Sequence, residues 1–307
     1  MRFLRNPSYK FMEARKVAFL ISGALILVSI ISLIMHGGPR YSVDFRGGTF
    51  MEIRFEDKAD PEKPLNIEIG PVRKVFEEFG LGSAEIKHYG SLQEISIRAD
   101  ITENTDEIFH SLVSQLSKFF PDYNVIEMRK DTVGPKVGKE LVVAAMLAIL
   151  WATVFILLYI MWRFELRFGI GAVAATIHDV VVTIGIFSIL DIEISIAIVA
   201  ALLTIVGYSL NDTIVVFDRI RENLKTMKRQ TFDYTNMINR SINETLSRTI
   251  ITSGTTLLVV LVLYFFGGEV LKDFAFALIC GVLIGTYSSI FVASPILVEF
   301  EFRKKSS

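Results

Sequence analysis

Long apolar runs separated by charged stretches dominate the chain. A helix that crosses a hydrocarbon core of about 30 Å needs roughly 20 apolar residues. Six segments meet that length, and they lie at residues 17–35, 141–162, 168–190, 194–217, 250–266 and 274–298. The pattern predicts a polytopic α-helical membrane protein with six transmembrane helices.

The stretch at 36–138, between the first two apolar segments, shows shorter periodicities. Four segments alternate as β-strands, at 49–55, 83–89, 93–99 and 123–130. Two have helical periodicity, at 70–80 and 102–120. The resulting order β-α-β-β-α-β is that of a ferredoxin-like fold. We therefore predict one α+β domain between the first and second transmembrane helices.

The second helix of this domain has a capped amphipathic pattern. We expect Thr102 to be its N-cap, because a threonine oxygen can accept from the first free amides of a helix. The expected buried face carries Ile108, Leu112 and Leu116, which are spaced by four.

Composition excludes several classes of function. The outer domain holds 18 acidic and 13 basic residues, which argues against a nucleic-acid partner. The lone Cys280 allows no disulfide framework. The sequence offers no nucleophile with a base, no phosphate-binding loop and no metal-ligand cluster. It therefore predicts neither an enzyme nor a metal or cofactor site, and energy must come from an ion gradient or from partners.

Lysine and arginine counts predict the orientation. The leader at 1–16 has five basic residues and the loop at 218–248 has seven, whereas the short loops on the other side contain only Lys272. The positive-inside rule then predicts cytoplasmic termini, with a tail at 299–307, and a periplasmic or otherwise extracytoplasmic domain. The apolar run at 17–35 is longer than a signal-peptide core, so we interpret it as a retained anchor.

Two carboxylates, Asp179 and Asp212, lie well within the predicted spans. A charged group at a helix centre costs at least about 2.5 kcal/mol on insertion scales, so such groups usually have a function. Asp179 lies near Thr176 and Thr183, and it either extends a polar face or has a packing role. Its neighbour His178 does not share a helix face with it, so the pair is not expected to bind a metal.

A polar face collects residues on the fourth and fifth spans. On the fourth span, the spacing i, i+4, i+7, i+8 holds for Thr204, Tyr208, Asn211 and Asp212. On the fifth span, the same spacing holds for Arg248, Thr252, Thr255 and Thr256. Because the two helices are antiparallel, we expect Asp212 and Arg248 to meet inside the bundle. Thr204, Tyr208, Asn211, Asp179 and Thr252 are candidates for a polar relay or for packing.

Asp212 and Arg248 together predict a proton-coupling pair. Low-dielectric walls favour the neutral form of a carboxylate and a nearby cation favours its charged form, so a moving arginine can switch a proton acceptor. The alternative is a static ion pair that only fixes helix packing.

Two further patterns concern packing and surfaces. Gly281 and Gly285 form a GxxxG spacing that permits close helix approach. The loop after the fourth span carries the apolar residues Phe232, Ile238, Ile242 and Leu246, the last three of which are spaced by four. It predicts an amphipathic helix on membrane lipids, with a helix that docks a partner as the alternative.

The complete arrangement of one helix, an outer domain and a five-helix bundle at 139–298 corresponds to half of a resistance-nodulation-division transporter. That architecture has two such halves in parallel repeat. The chain shows no internal repeat that would supply both, so we expect a second half from another protein.

Five sequence blocks carry a family resemblance, namely VDFRGGT (43–49), VGPKVGKEL (133–141), HDVV (178–181), GYSLNDTIVVFDRIREN (207–223) and INETLSRTIITSGTT (242–256). In this order the chain resembles the SecF family, the smaller member of the SecD/SecF membrane pair of bacterial protein export. The resemblance implies an inner-membrane protein that pairs with SecD, associates with the SecYEG channel and uses the proton-motive force to help translocate a preprotein. It also assigns Asp212 and Arg248 to the proton-responsive site.

The first two blocks contain the glycines at both ends of the outer domain, Gly47, Gly48, Gly134 and Gly138. Glycine allows positive φ and close backbone approach, so we interpret them as a hinge or junction.

The expected coupling ion is H⁺, with Na⁺ as the alternative. Two other functions stay open at this point: half of a transporter that exports small molecules or lipids, and a structural scaffold whose ion pair never titrates.

Overall fold

The computed structural model describes residues 7–226 and 233–306. Two compact units make up the chain: Tyr41–Ala145, and a helical unit drawn from the chain on both sides of it. After a 3-10 turn at Phe11–Ala14, the elements in chain order are α1 (Arg15–Met35), α2 (Val43–Arg46), β1 (Gly48–Asp57), α3 (Ile69–Glu78), β2 (Glu85–Tyr89), β3 (Ser91–Ala99), α4 (Thr105–Phe119), β4 (Tyr123–Val133), α5 (Pro135–Arg163), α6 (Leu166–Ile189), α7 (Ile196–Thr226), α8 (Tyr234–Phe266), α9 (Glu269–Ser288), a π-helical segment (Ser289–Ala293) and α10 (Ser294–Ser306).

Six stretches of helix are long and apolar enough to cross a membrane. The stretches are Phe11–Met35, Pro135–Arg163, Leu166–Ile189, Ile196–Thr226, Tyr234–Phe266 and Leu271–Phe300. The predicted six-span fold class is confirmed. Several helices extend beyond the apolar runs, because glutamate, lysine and arginine are good helix formers and nothing in the charged flanks ends the helix.

The unit Tyr41–Ala145 contains a four-stranded antiparallel sheet with the order β2-β3-β1-β4. This order and the element sequence β-α-β-β-α-β confirm the ferredoxin-like prediction. One core joins the sheet to α3 and α4, and alternate strand residues enter it because side chains point to opposite faces of a strand. The most buried strand residues include Ile53, Phe55, Ile95 and Ile97.

Helix α4 starts later than the sequence predicts. The prediction of Thr102 as the N-cap is wrong: the helix begins at Thr105, and Asn104 precedes it in the left-handed region with a φ of 50°. Asparagine tolerates that region better than most residues. The buried face therefore includes Phe109 with Leu112 and Leu116, whereas Ile108 is only partly buried.

Glycines bring the membrane helices close together. A Cβ on Gly185 of α6 would lie 2.0 Å from Ser29 Oγ of α1. A Cβ on Gly281 would lie 2.2 Å from the Ile205 side chain, and one on Gly285 would lie 3.0 Å from Ser209 Cβ. The GxxxG prediction is thus confirmed, because both of its glycines let α9 approach α7.

Helices α7 and α8 continue through most of the predicted loop at 218–248. Asp233 caps α8, its side chain accepting from the backbone amides of Thr235 and Asn236. Ile238, Ile242 and Leu246 are buried in the core of the helical unit. The prediction of a separate helix lying on lipid is therefore wrong for these residues, since their apolar face packs on the protein. Phe232 lies outside the described residues.

The leader packs against this extension of α8. Asn243 forms two hydrogen bonds with the backbone of Tyr9, accepting from its amide at 2.9 Å and donating to its carbonyl at 2.7 Å. The amide of Met12 donates to Asn239 Oδ1 at 2.8 Å. Two asparagines one helical turn apart thus bind the main chain before α1 begins.

We expect Gly185→Ala to lower the stability of the helical unit by about 1–3 kcal/mol, since an added methyl group must displace the backbone of α1 at Ser29. Thermal unfolding of the purified protein in detergent measures the effect. Gly23→Ala is the matched control, because nothing lies within 4 Å of a Cβ at that position in α1. Equal melting temperatures for the two variants would contradict close α1–α6 packing at this point.

Candidate functional site in the membrane bundle

Asp212 lies in the interior of the bundle, on the α7 face that packs against α8 and α9. Its side chain is 2% exposed, and Oδ2 accepts a hydrogen bond of 3.0 Å from Ser253 Oγ of α8. Ser253 Oγ in turn accepts from Thr286 Oγ1 of α9 at 2.8 Å. A chain of two hydroxyls therefore connects this carboxylate to both neighbouring helices.

Arg248 is placed differently from the prediction. Within the described part of the chain, no hydrogen bond or ion pair joins Arg248 to Asp212, although the two side chains are close enough to interact electrostatically. Arg248 is exposed, five residues along α8 from Ser253. The predicted pair is not formed in this structure, where Arg248 lies on the surface of α8, and its pairing with Asp212 stays a prediction.

The Arg248 side chain lines a cleft of about 390 Å³ between α7 and α8. The cleft opens near the end of the bundle that holds the start of α8, and its other lining residues are Val215, Asp218, Arg219, Glu222, Glu244 and Thr245. Most of these are charged or polar, so the cleft suits water. Arg248 thus forms part of the wall of a polar cleft.

The other residues of the predicted α7 face do not join Asp212 in the interior. Thr204 and Asn211 are exposed, and Tyr208 is half-buried. The Tyr208 hydroxyl is buried without a partner among the described residues. On α8, Thr252 is half-buried and its hydroxyl contacts the carbonyls of its own helix. Residues spaced i, i+4, i+7 and i+8 cover a wide arc of the helix surface. One part of that arc packs against neighbouring helices and the other part is exposed.

The second carboxylate, Asp179 of α6, has a richer set of partners. It is 1% exposed. Its Oδ2 accepts from Ser209 Oγ of α7 at 2.5 Å and from Ser288 Oγ of α9 at 2.7 Å. Its Oδ1 lies 2.8 Å from His178 Nδ1. Asp179 therefore ties α6 to α7 and α9.

The partners of Asp179 were not predicted. Thr176 and Thr183 each donate to a carbonyl of their own helix, so they do not extend a polar face across the bundle. His178 contacts Asp179 although the two are adjacent in sequence, because both side chains turn towards the same helix interface. The sequence feature that could have predicted these partners is the presence of serines in otherwise apolar spans, and Ser209 and Ser288 are both buried.

The junction glycines lie at close backbone contacts within Tyr41–Ala145. Gly47 has a φ of 82°, and a Cβ there would lie 2.8 Å from Pro135 Cα. Gly48 has a φ of 112° and a similar approach to Ala99 O, and a Cβ on Gly138 would lie 2.5 Å from Phe45 O. Gly134 has open space. Three of the four predicted positions thus need glycine for close packing, and motion at this junction stays a prediction.

Comparison with known proteins identifies the family. The family model for the C-terminal part of the protein export membrane proteins SecD/SecF matches residues 113–303. The protein translocase subunit SecF of Desulfurispirillum indicum is 47% identical over 99% of this chain and 94% of its own length. The chain belongs to the SecF family. The corresponding subunit of Rhodothermus marinus is 45% identical over 99% of this chain and 96% of its own length.

Two solved SecDF structures resemble this SecF-family chain in fold. The crystal structure of SecDF from Thermus thermophilus, described as a translocon-associated membrane protein, has a TM-score of 0.83 at 37% identity. The match covers 96% of this chain and 39% of that one. SecDF in a super-membrane-facing form has a TM-score of 0.70 at 37% identity, with 99% and 40% covered. The chain thus spans about two fifths of each solved SecDF chain.

Membership of the SecF family settles the broad class of function. The chain is a multi-pass membrane protein and a subunit of the protein translocase, and it is not an enzyme. Its membrane site is therefore described by hydrogen bonding and charge rather than by bond-making chemistry.

We expect Ser209→Ala and Ser288→Ala each to destabilise this SecF-family chain by about 1–3 kcal/mol, because each change removes a donor from the buried Asp179 carboxylate. Thermal unfolding in detergent provides the measurement. Thr255→Ala is the control, since its exposed hydroxyl donates only within α8. If all three variants melt together, Asp179 does not depend on these two serines.

Proposed function

We propose that the chain couples the proton-motive force to the export of polypeptides, with Asp212 as the residue that takes up and releases the proton. The proposal rests mainly on one observation. Asp212 is a buried carboxylate whose side-chain partners in the described structure are short hydroxyls alone, Ser253 with Thr286 beside it. An ionised carboxylate offers about four acceptor sites, so this environment suits the neutral acid better than the charged one.

Arg248 supports the proposal because its side chain is long and flexible and starts within reach of the depth at which Asp212 lies. Ser253 lies level with Asp212, and Arg248 is five residues away, which is about 7.5 Å along a helix. An extended arginine side chain spans such a distance. The structure then corresponds to one state, with Arg248 in the cleft and Asp212 protonated. In the second state the guanidinium moves inward and pairs with the ionised carboxylate.

Exchange between these two states provides a mechanism for coupling. A proton that crosses 100 mV releases about 2.3 kcal/mol, and this energy is useful only if protonation changes the relative stability of two conformations. Asp212 is connected to α8 through Ser253 and to α9 through Thr286. Loss of the proton therefore changes contacts among three helices at once.

SecD is the partner that fits the exposed polar residues of α7 and α8. Thr204 and Asn211 are exposed on α7, as is Thr255 on α8, although all three lie within apolar spans. Polar side chains at membrane depth usually face another helix, where they form interhelical hydrogen bonds. The solved SecDF chains extend well beyond the part that this chain matches. We infer that a SecD helical bundle covers the polar surface of α7 and α8.

The remaining partners and the orientation follow from this assignment. We place the basic end of the bundle, with Arg163, Arg219 and Arg240, in the cytoplasm of the inner membrane, and the α+β domain outside. The SecYEG channel then supplies the translocating preprotein, and the outer domain acts on the chain that emerges. The Arg248 cleft opens to the cytoplasm in this orientation, which gives protons a path out.

The test uses Asp212→Asn in membrane vesicles that contain the chain with SecD and the channel. Asparagine keeps the size and the hydrogen bonding of the side chain but cannot take up a proton. We expect proton-dependent export to fall to the level seen without a gradient, while assembly stays normal. Asp191→Asn is the control: Asp191 is an exposed carboxylate with a φ of 54°, and asparagine adopts that backbone conformation readily.

The same vesicles separate the alternatives. Export that responds to a sodium gradient instead of a proton gradient would replace H⁺ by Na⁺ as the coupling ion. Unchanged gradient-dependent export with Asn at position 212 would contradict the proposal and leave the carboxylate with a structural role.

A size series at Asn211 tests the SecD-facing surface. Asn211→Ala should keep co-purification with SecD, because a smaller side chain leaves the surface accessible. Asn211→Trp should reduce it at least tenfold, which corresponds to about 1.4 kcal/mol of binding energy. Quantitative co-purification in mild detergent gives the readout. Equal recovery of SecD with both variants would show that the interface lies elsewhere.

A further inference from the structure

His178 is a buried titratable residue that the proposed Asp212 mechanism does not use. Its side chain is 2% exposed in the middle of α6. Nδ1 lies 2.8 Å from Asp179 Oδ1, whereas Nε2 is enclosed and has no hydrogen-bond partner among the described residues. A buried polar atom without a partner is unfavourable, so its presence in a well-packed interface calls for a reason.

The chemistry of the pair indicates which atom is available. A carboxylate beside Nδ1 favours the tautomer in which Nδ1 carries the proton and donates it. Nε2 is then the nitrogen with a free lone pair. Asp179 also accepts hydrogen bonds from Ser209 and Ser288, so its carboxylate has three donors. Nε2 of the imidazole is therefore the atom of the pair that is open to a proton.

Tyr287 of α9 is an aromatic neighbour of the imidazole. Its ring centroid lies 6.1 Å from that of His178, and an aromatic face attracts a cation at about this distance. The Tyr287 hydroxyl lies 3.1 Å from both Ala18 O and Ser22 Oγ of α1. A charge on His178 thus acts directly on the contacts of α9 and, through Tyr287, on those of α1.

The groups that face this pair contribute few other charges. Helix α7 contributes the carboxylate of Asp212, three residues from Ser209 and therefore about 4.5 Å along the helix. Helix α9 contributes the phenol of Tyr287. Helix α1 is uncharged from 17 to 35, and the π-helical segment Ser289–Ala293 contains no ionisable residue. The described carboxylate of α10, Glu299, pairs with Arg15.

We propose that His178 is a second proton-binding site of the bundle, in which Nε2 takes up the proton while Asp179 holds the ring. This proposal rests on the proposed function, since it concerns the same proton-driven cycle. Addition of one proton to the Nε2 lone pair converts the pair from a net charge of −1 to a neutral imidazolium–carboxylate pair. The Asp212 cluster and the His178 cluster share α7 and α9, so protonation at one site affects helix contacts at the other.

The experiment reads the two ring nitrogens of His178 directly. The chain has four histidines, and replacing His36, His88 and His110 by glutamine leaves His178 as the source of all imidazole signals. The ¹⁵N-histidine-labelled chain, assembled with SecD in lipid bilayers, is studied by solid-state nuclear magnetic resonance as the pH is lowered. Spectra are recorded from about pH 8 to about pH 5, the range in which imidazole is the side chain that ordinarily changes charge. We expect imidazolium signals to replace the neutral signal with a proton on Nδ1.

Asp179→Asn tests the holding role of the carboxylate. At a given pH, the imidazolium signals should be weaker in Asp179→Asn than in the parent chain, because the imidazolium loses its counter-charge. In Asp212→Asn the transition should remain. A single unchanged set of His178 signals throughout this pH range in the otherwise wild-type chain would overturn the proposal, and that result needs no variant of Asp179 to fold. A transition that ignores Asp179→Asn would also overturn it, because the ring would then titrate without the carboxylate.

Failure of this inference is distinguishable from failure of the proposed function. Gradient-driven export that depends on Asp212, together with a His178 that never titrates, leaves the proposed function intact and removes the second site. Titration of His178 in a complex whose export ignores the proton gradient has the opposite meaning, since the site then exists without coupling.

Discussion

The cost of placing a carboxylate at membrane depth is the constraint on which the helical unit depends. Each buried acid must either be neutral or have donors, because the surrounding hydrocarbon provides none. Asp179 and Asp212 meet this constraint differently. Among the described residues, Asp179 has donors from its own helix and from two others, whereas Asp212 has only the hydroxyls of Ser253 and, beside it, Thr286. The proposal that Asp212 exchanges the proton rests on this contrast.

The close packing of the helices follows from the same constraint. Short serine and threonine hydroxyls reach a carboxylate on another helix only if the backbones approach closely. Gly285 allows α9 to approach Ser209 of α7, and Ser288 follows one turn later on α9. Gly185 provides the corresponding approach between α6 and α1. Small residues thus create the distances at which the polar network forms, and that network then fixes the register of the helices.

The sequence predicts the architecture well because its signals are long. Apolar runs of about 20 residues and the order of six alternating or helical segments define the six spans and the ferredoxin-like domain. It predicts the partners of individual side chains less well. The face shared by Thr204, Tyr208, Asn211 and Asp212 is real in helical projection, but only the tertiary packing decides that Asp212 faces inward and Asn211 outward.

Three further differences have equally local causes. Arg248 has enough rotatable bonds to lie in a polar cleft or to reach the interior, so its position in one state cannot be read from spacing. His178 and Asp179 are adjacent, and a rule based on helix faces separates them, yet side-chain rotation brings Nδ1 and Oδ1 to 2.8 Å. Ile238, Ile242 and Leu246 have the pattern of a lipid-facing helix, and packing on the bundle satisfies the same pattern.

The most direct test of the central claim is infrared difference spectroscopy of the assembled complex in bilayers, recorded with and without a proton gradient. Asp212 should contribute a carbonyl stretching band of a protonated carboxylic acid, which shifts in heavy water and is missing from the Asp212→Asn variant. If Asp212 exchanges the coupling proton, this band loses intensity when the gradient drives the cycle. A band that is absent, or that keeps its intensity under a gradient that supports export, would contradict the claim that Asp212 exchanges the coupling proton.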